Sequence, residues 1–144
     1  MIWAHRIMVT IGLWALLLVP AYAATEGRYA SIIVDADSLD VLHARQIDAA
    51  RHPASLTKIM TLYLTFEAID RGTLSLEQSV TVSPVAARTP PVSMGLKAGQ
   101  AVSIDTLVQA VAVRSANDAA VVLAEALSGT EESFADLMTQ RAQG

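Results

Sequence analysis

Ser55 and Lys58 stand three positions apart in Pro53-Ala54-Ser55-Leu56-Thr57-Lys58, at the entrance to a long apolar run. On a helix that spacing puts a hydroxyl and an amine on one face, with tips that can meet. A serine is a poor nucleophile until a neighbour takes its proton. An amine can do so when burial or nearby positive charge pulls its pKa below about 10.4. Ser-x-x-Lys arises by chance about once in a few hundred positions. A plain helix start, with Ser55 as cap and Lys58 in water, therefore competes with the chemical reading. Two features weigh against it: a capping box has Glu or Gln where Lys58 stands, and a cation in the first turn opposes the helix dipole. Lys58 and Lys97 are the only lysines, so Lys58 does not belong to a lysine-rich surface.

A second constellation is Arg114-Ser115-Ala116-Asn117-Asp118. It falls in the corner between two periodic apolar segments. One is entered through Ser103 and Asp105, and the other runs from Ala119 to Leu127 and stops at Ser128-Gly129. Residues at such corners commonly cap helices, and Asn117 or Asp118 could cap the second one. The chemical alternative has Ser115 relaying a proton to or from Lys58, while the Asn117 amide, both donor and acceptor, holds a substrate peptide group.

The elements that must position these groups follow from pattern and punctuation. Leu56, Ile59, Met60, Leu62, Tyr63, Leu64, Phe66 and Ile69 cover most of a helical circumference, which predicts a buried helix over 55–70, ended by Gly72. Its first turn would point backbone N–H groups at Ser55, where developing negative charge is stabilised. Residues 28–37 read as a half-buried strand, 37–40 as a turn and 41–46 as the returning strand. Further helices are expected over 104–113, 118–127 and 131–143, with a short strand at 79–83 and an irregular loop at Thr89-Pro90-Pro91. The fold class is α+β.

Taken together, the two constellations resemble the serine-type D-alanyl-D-alanine carboxypeptidases, the low-molecular-mass penicillin-binding proteins, whose motifs run Ser-x-x-Lys, Ser-x-Asn, Lys-Thr-Gly. The segments Tyr29–Ala36, Arg51–Thr61, Met94–Gly99 and Arg114–Ala120 are similar to that family in order and content. The resemblance runs from about Tyr29 to the last residue. It implies a penicillin-binding-protein/β-lactamase-like transpeptidase fold, present as an N-terminal β-hairpin plus a helical cluster, with the later sheet strands absent. Ser55 would be the nucleophile that forms an ester with the penultimate D-alanine of a peptidoglycan stem peptide ending in D-Ala-D-Ala. Lys58 would be the general base, Ser115 would carry the proton to the leaving D-alanine, and Asn117 would bind the substrate amide. β-Lactam antibiotics would acylate the same Ser55. No cofactor or metal is implied.

The family's third motif does not follow Ser115 in these residues. Lys97-Ala98-Gly99 precedes Ser115 and reads as a loop entering the next helix start. The chain therefore reads as the N-terminal part of such an enzyme, and an open apolar edge predicts marginal stability or aggregation. Any peripheral membrane association would come from a segment beyond Gly144. The 144 residues suffice for one modest domain. A net charge of −4 and the absence of basic runs argue against nucleic acid, and the absence of cysteine removes disulfides and thiolate metal sites. His5, His43 and His52 lack ligand spacing. Met1–Arg6, an apolar stretch from Ile7 to Pro20, and Ala21-Tyr22-Ala23 read as a signal peptide over 1–23, with an uncleaved anchor as the competing reading. Cleavage would remove Arg6, one of 10 basic side chains, and none of the 14 acidic ones, leaving a net charge of −5. Residues 24–144 are the expected catalytic-domain portion, exported to the periplasm or the outer face of the cytoplasmic membrane. The alternatives are a D,D-endopeptidase or β-lactamase of related chemistry, a non-catalytic binding module, and a membrane-tethered structural protein.

Overall fold

A computed structural model describes residues 29–143; the signal-peptide expectation over 1–23 lies outside the described residues. The chain divides into two compact units at His52/Pro53.

In the first unit, β1 (Ser31–Val34) pairs antiparallel with β2 (Val41–Arg45), with Ile32 opposite Ala44 and a register shift between Ile33 and Val34. Asp35 organises the turn: its Oδ1 accepts the Asp37 and Ser38 N–H groups at 3.0 and 2.8 Å. These N–H groups, Ser38 foremost, hold the Asp35 carboxyl below its ordinary pKa. His43 behaves as a strand residue, its Nε2 lying 3.1 Å from Ser31 Oγ across the pair. The expectation of a half-buried strand does not hold. Ile32, Ile33, Val34, Val41 and Leu42 are exposed, because a two-stranded ribbon cannot bury either of its own faces.

The second unit is helical, with one short antiparallel pair of strands. It contains α1 (Thr57–Asp70), β3 (Ser79–Thr81), β4 (Ala101–Ser103), α2 (Ile104–Arg114), α3 (Asn117–Ser128) and α4 (Glu131–Gln143). Ile104, Leu107, Val122, Leu123 and Val82 are fully buried at its centre. β4 was not legible in the sequence as a strand. It pairs Val102 with Val80 and runs straight into α2, so Lys97-Ala98-Gly99 leads into a strand before the helix. Ser103 closes the strand and caps the helix, its Oγ accepting Thr106 N–H at 3.2 Å.

α1 departs most from expectation. Its buried residues are Thr61, Leu64 and Thr65, whereas Leu56, Ile59, Tyr63 and Phe66 are 67%, 65%, 51% and 48% exposed. At 100° per residue these four lie opposite Thr61. The helix therefore packs through a threonine-rich face, with Thr65 Oγ1 donating to Thr61 O at 2.8 Å, and leaves an apolar face uncovered. Apolar residues all round require cover on every side, and here the neighbouring α2, α3 and α4 occupy one side.

Candidate active site

Ser55 is not in the α-helix proper. It sits in a single 3₁₀ turn, Ala54–Leu56, that feeds α1. Thr57 Oγ1 donates to Ala54 O at 2.7 Å and Leu56 N–H to Pro53 O at 3.1 Å, which tighten that turn. Ala54, just before the serine, has φ 49°, a left-handed conformation that costs a residue with a Cβ roughly 1 kcal/mol or more.

Ser115 ends α2 in the same unusual conformation, φ 55° and ψ 36°. Its N–H reaches Val111 O at 3.1 Å, and Ala116 N–H reaches Ala110 O at 3.2 Å. Glycine is the usual residue there. Serine in its place brings a hydroxyl out of the corner, and Ser115 Oγ donates to Ser55 Oγ at 3.1 Å. Ala116 is 0% exposed, packed in the main core. The small residue between Ser115 and Asn117 is thus a packing requirement.

Asn117 opens α3. Its main-chain N–H reaches Val92 O at 2.8 Å, and its Nδ2 donates to Pro91 O at 2.6 Å and Pro90 O at 3.2 Å. Neither Asn117 nor Asp118 is the cap weighed from sequence: the cap position is Ala116, with no side-chain bond. Lys58 is half-buried in the first turn of α1. It lines, with Asn117, Thr57, Thr61, Glu131 and Phe134, a cavity of about 300 Å³. The four predicted residues therefore form two adjoining pairs. The serines meet directly, and Lys58 and Asn117 share a cavity wall. No hydrogen bond joins Lys58 to either serine. The residue that sequence reasoning undervalued is Asp118, a buried carboxylate in the turn after Asn117. Its neighbours lie 22 and 24 positions away, so no local pattern marks it.

Among the described residues no helix is long and apolar enough to cross a membrane. No group of three or more acidic or histidine side chains there could hold a metal ion.

The family model for D-alanyl-D-alanine carboxypeptidases, peptidase S11, matches residues 21–144. The chain is 32% identical to the D-alanyl-D-alanine carboxypeptidase DacF of Bacillus subtilis, covering 92% of this chain and 37% of the relative. It superposes on the crystal structure of the carboxypeptidase DacD from Francisella tularensis with a TM-score of 0.75 and 41% identity, over 79% of this chain and 28% of that one. Penicillin-binding protein D2 of Listeria monocytogenes in its ampicillin-bound form is similar at 29% identity and a TM-score of 0.66, over 79% of this chain and 45% of that one. The chain thus spans less than half the length of these relatives, and its second unit and hairpin are part of the penicillin-binding-protein fold. A Ser-x-x-Lys tetrad, a facing Ser-x-Asn corner and the matched residues together make this chain a member of the D-alanyl-D-alanine carboxypeptidase family, peptidase S11.

Proposed function

We propose that the chain carries the nucleophile side of a serine-type D-Ala-D-Ala carboxypeptidase, with Ser55, Lys58 and Ser115 as its catalytic residues and Asn117 as a substrate-binding one. The observation that supports this most is the 3.1 Å contact between Ser115 Oγ and Ser55 Oγ, made by residues 60 positions apart and held by two left-handed residues. Strain of this kind persists only where the surroundings impose it, and it concentrates at functional sites.

In this reading Lys58 Nζ receives the Ser55 proton after a rotation of its flexible stem. Ser55 Oγ then attacks the carbonyl carbon of the penultimate D-alanine. The C–N bond to the terminal D-alanine breaks, and its nitrogen takes a proton through Ser115. Water adds to the resulting ester and releases the shortened peptide and free Ser55. The Asn117 amide holds the peptide group of the substrate. A substrate carbonyl that takes an Nδ2 hydrogen displaces the longer, 3.2 Å bond to Pro90 first. A β-lactam enters the same path and stops at the ester on Ser55, in keeping with the ampicillin-bound relative.

Residues 1–23 are proposed as an export signal and 24–144 as part of the catalytic domain, with the substrate met in the periplasm or at the outer face of the cytoplasmic membrane. Any hold on the membrane surface would be peripheral. Terminal sequencing of exported protein should begin near Ala24; a start at Met1 would contradict the signal. A fluorescent penicillin tests the reaction. Covalent label on the chain that disappears in Ser55→Ala supports it, and reversible capture with no adduct would favour a binding module.

A further inference from the structure

The loop that runs from Thr89 to Lys97 is tied to the start of α3 by two consecutive residues. Asn117 takes the first half, through the carbonyls of Pro90, Pro91 and Val92. Asp118 takes the second half. Its carboxylate, in a residue 1% exposed, accepts Met94 N–H on both oxygens at 3.0 Å and Leu96 N–H on Oδ2 at 3.1 Å. Its Oδ1 also accepts Ala119 N–H at 2.9 Å. A buried carboxylate is costly unless such donors satisfy it. Here backbone donors meet the need, and among the described residues no ion pair involves Asp118.

The Asn117 anchor ends at Val92, which has φ 53°. A β-branched residue in that region is a marked outlier and must be held there by what surrounds it. Pro90 and Pro91 have no N–H to give, so their own backbones cannot donate to fix the segment. The Pro91 carbonyl that grips the Asn117 amide is therefore placed from its C-terminal side, by the Val92 bond to Asn117 N–H and by the Asp118 anchor beyond it.

We propose that Asp118 is a positioning residue for substrate capture: by clamping Met94 and Leu96 it sets the Pro90 and Pro91 carbonyls, and these set the face that the Asn117 amide shows to the cavity. The proposal rests on the reading of Asn117 as the substrate-holding group. It separates the two neighbouring residues into one that touches substrate and one that acts through it.

Asn117 is the only asparagine in the chain, so selective ¹⁵N-asparagine labelling marks its side-chain N–H pair alone. In the native chain that pair should exchange with solvent at least about tenfold more slowly than a free amide, as a made hydrogen bond requires. Asp118→Ala should abolish this protection while the Val122 and Leu123 backbone amides within α3 keep theirs. The same variant should weaken the binding step of penicillin capture about tenfold and the acylation rate constant by less than about threefold. The double variant Asn117→Ala/Asp118→Ala should lose no more than Asn117→Ala alone. Asp118→Asn keeps the shape and one acceptor, and serves if the alanine variant does not fold; its added amide pair is told apart by the native pair's shifts. Protection retained in a folded variant, or losses that add in the double variant, would overturn the clamp. A native chain that takes no penicillin would instead defeat the catalytic reading, and the exchange measurement would still decide on Asp118.

Discussion

Ser115 offers a perturbation in which stability and reactivity should move apart. Its φ of 55° costs any residue with a Cβ about 1 kcal/mol, and glycine escapes that cost. Its hydroxyl bond to Ser55 lies near the surface, and removing it costs about 0.5–1 kcal/mol. Ser115→Ala loses the bond and keeps the strain, so it should be less stable than the native chain by that amount. Ser115→Gly loses the bond and sheds the strain. It should match or exceed the native chain and stand about 1 kcal/mol above the alanine variant. With a urea slope near 1 kcal/mol per molar for a unit of this size, the two midpoints should differ by roughly 1 M. Urea titration followed by far-ultraviolet circular dichroism on dilute protein reads this directly. Both variants should lose penicillin labelling together, by about 100-fold or more, as expected when a proton-transfer group is removed. An alanine variant as stable as the glycine variant would refute the strain argument. A glycine variant that labels at the native rate would refute the role of the hydroxyl.

Other expectations follow from particular contacts. Ala116→Leu forces a larger side chain into a fully buried position and should destabilise the chain by about 1–3 kcal/mol, visible in the same urea titration. The apolar face of α1 should make the chain self-associate as concentration rises, seen by sedimentation velocity, and a double change of Ile59→Lys and Phe66→Lys should suppress it. A monomeric native chain with one cooperative thermal transition at high concentration would contradict this. The Asp35 carboxyl has its pKa lowered in the folded turn, so its contribution is present above the unfolded value and is lost as pH falls through the folded one. Relative to the intrinsic exchange rate at each pH, protection of the Ser38 amide should fall below about pH 4 and stay constant between about pH 5 and pH 7.

The helices were legible where their ends carry local chemistry. Ser103 and Asp105 announced α2, and α4 begins at Glu131, where the expected helix over 131–143 starts. The two motifs were legible as candidates because hydroxyl, amine and amide groups in that order point to acyl transfer. Burial of α1 was misread for a physical reason: hydropathy reports how much cover a helix could use, and the neighbours decide which face receives it. Here the threonines at 61 and 65 face inward, the Thr65 hydroxyl satisfied by a bond along the helix to Thr61 O, while Ile59 and Phe66 face out. β4 spans three residues and is defined by its pairing with β3, which no short window contains. The left-handed Ala54 and Ser115 were equally hidden, since neither is the glycine that would advertise such a backbone. Asp118 looked like a cap because its partners on the Met94 and Leu96 backbone are distant in sequence.

The most direct test is the mass of the intact folded chain after incubation with a penicillin, followed by peptide mapping. One penicilloyl group on the peptide that contains Ser55, absent from Ser55→Ala and strongly slowed in Lys58→Met, is the result expected. A folded chain that gains no mass, or an adduct that survives Ser55→Ala, would contradict Ser55 as the nucleophile and Lys58 as its base.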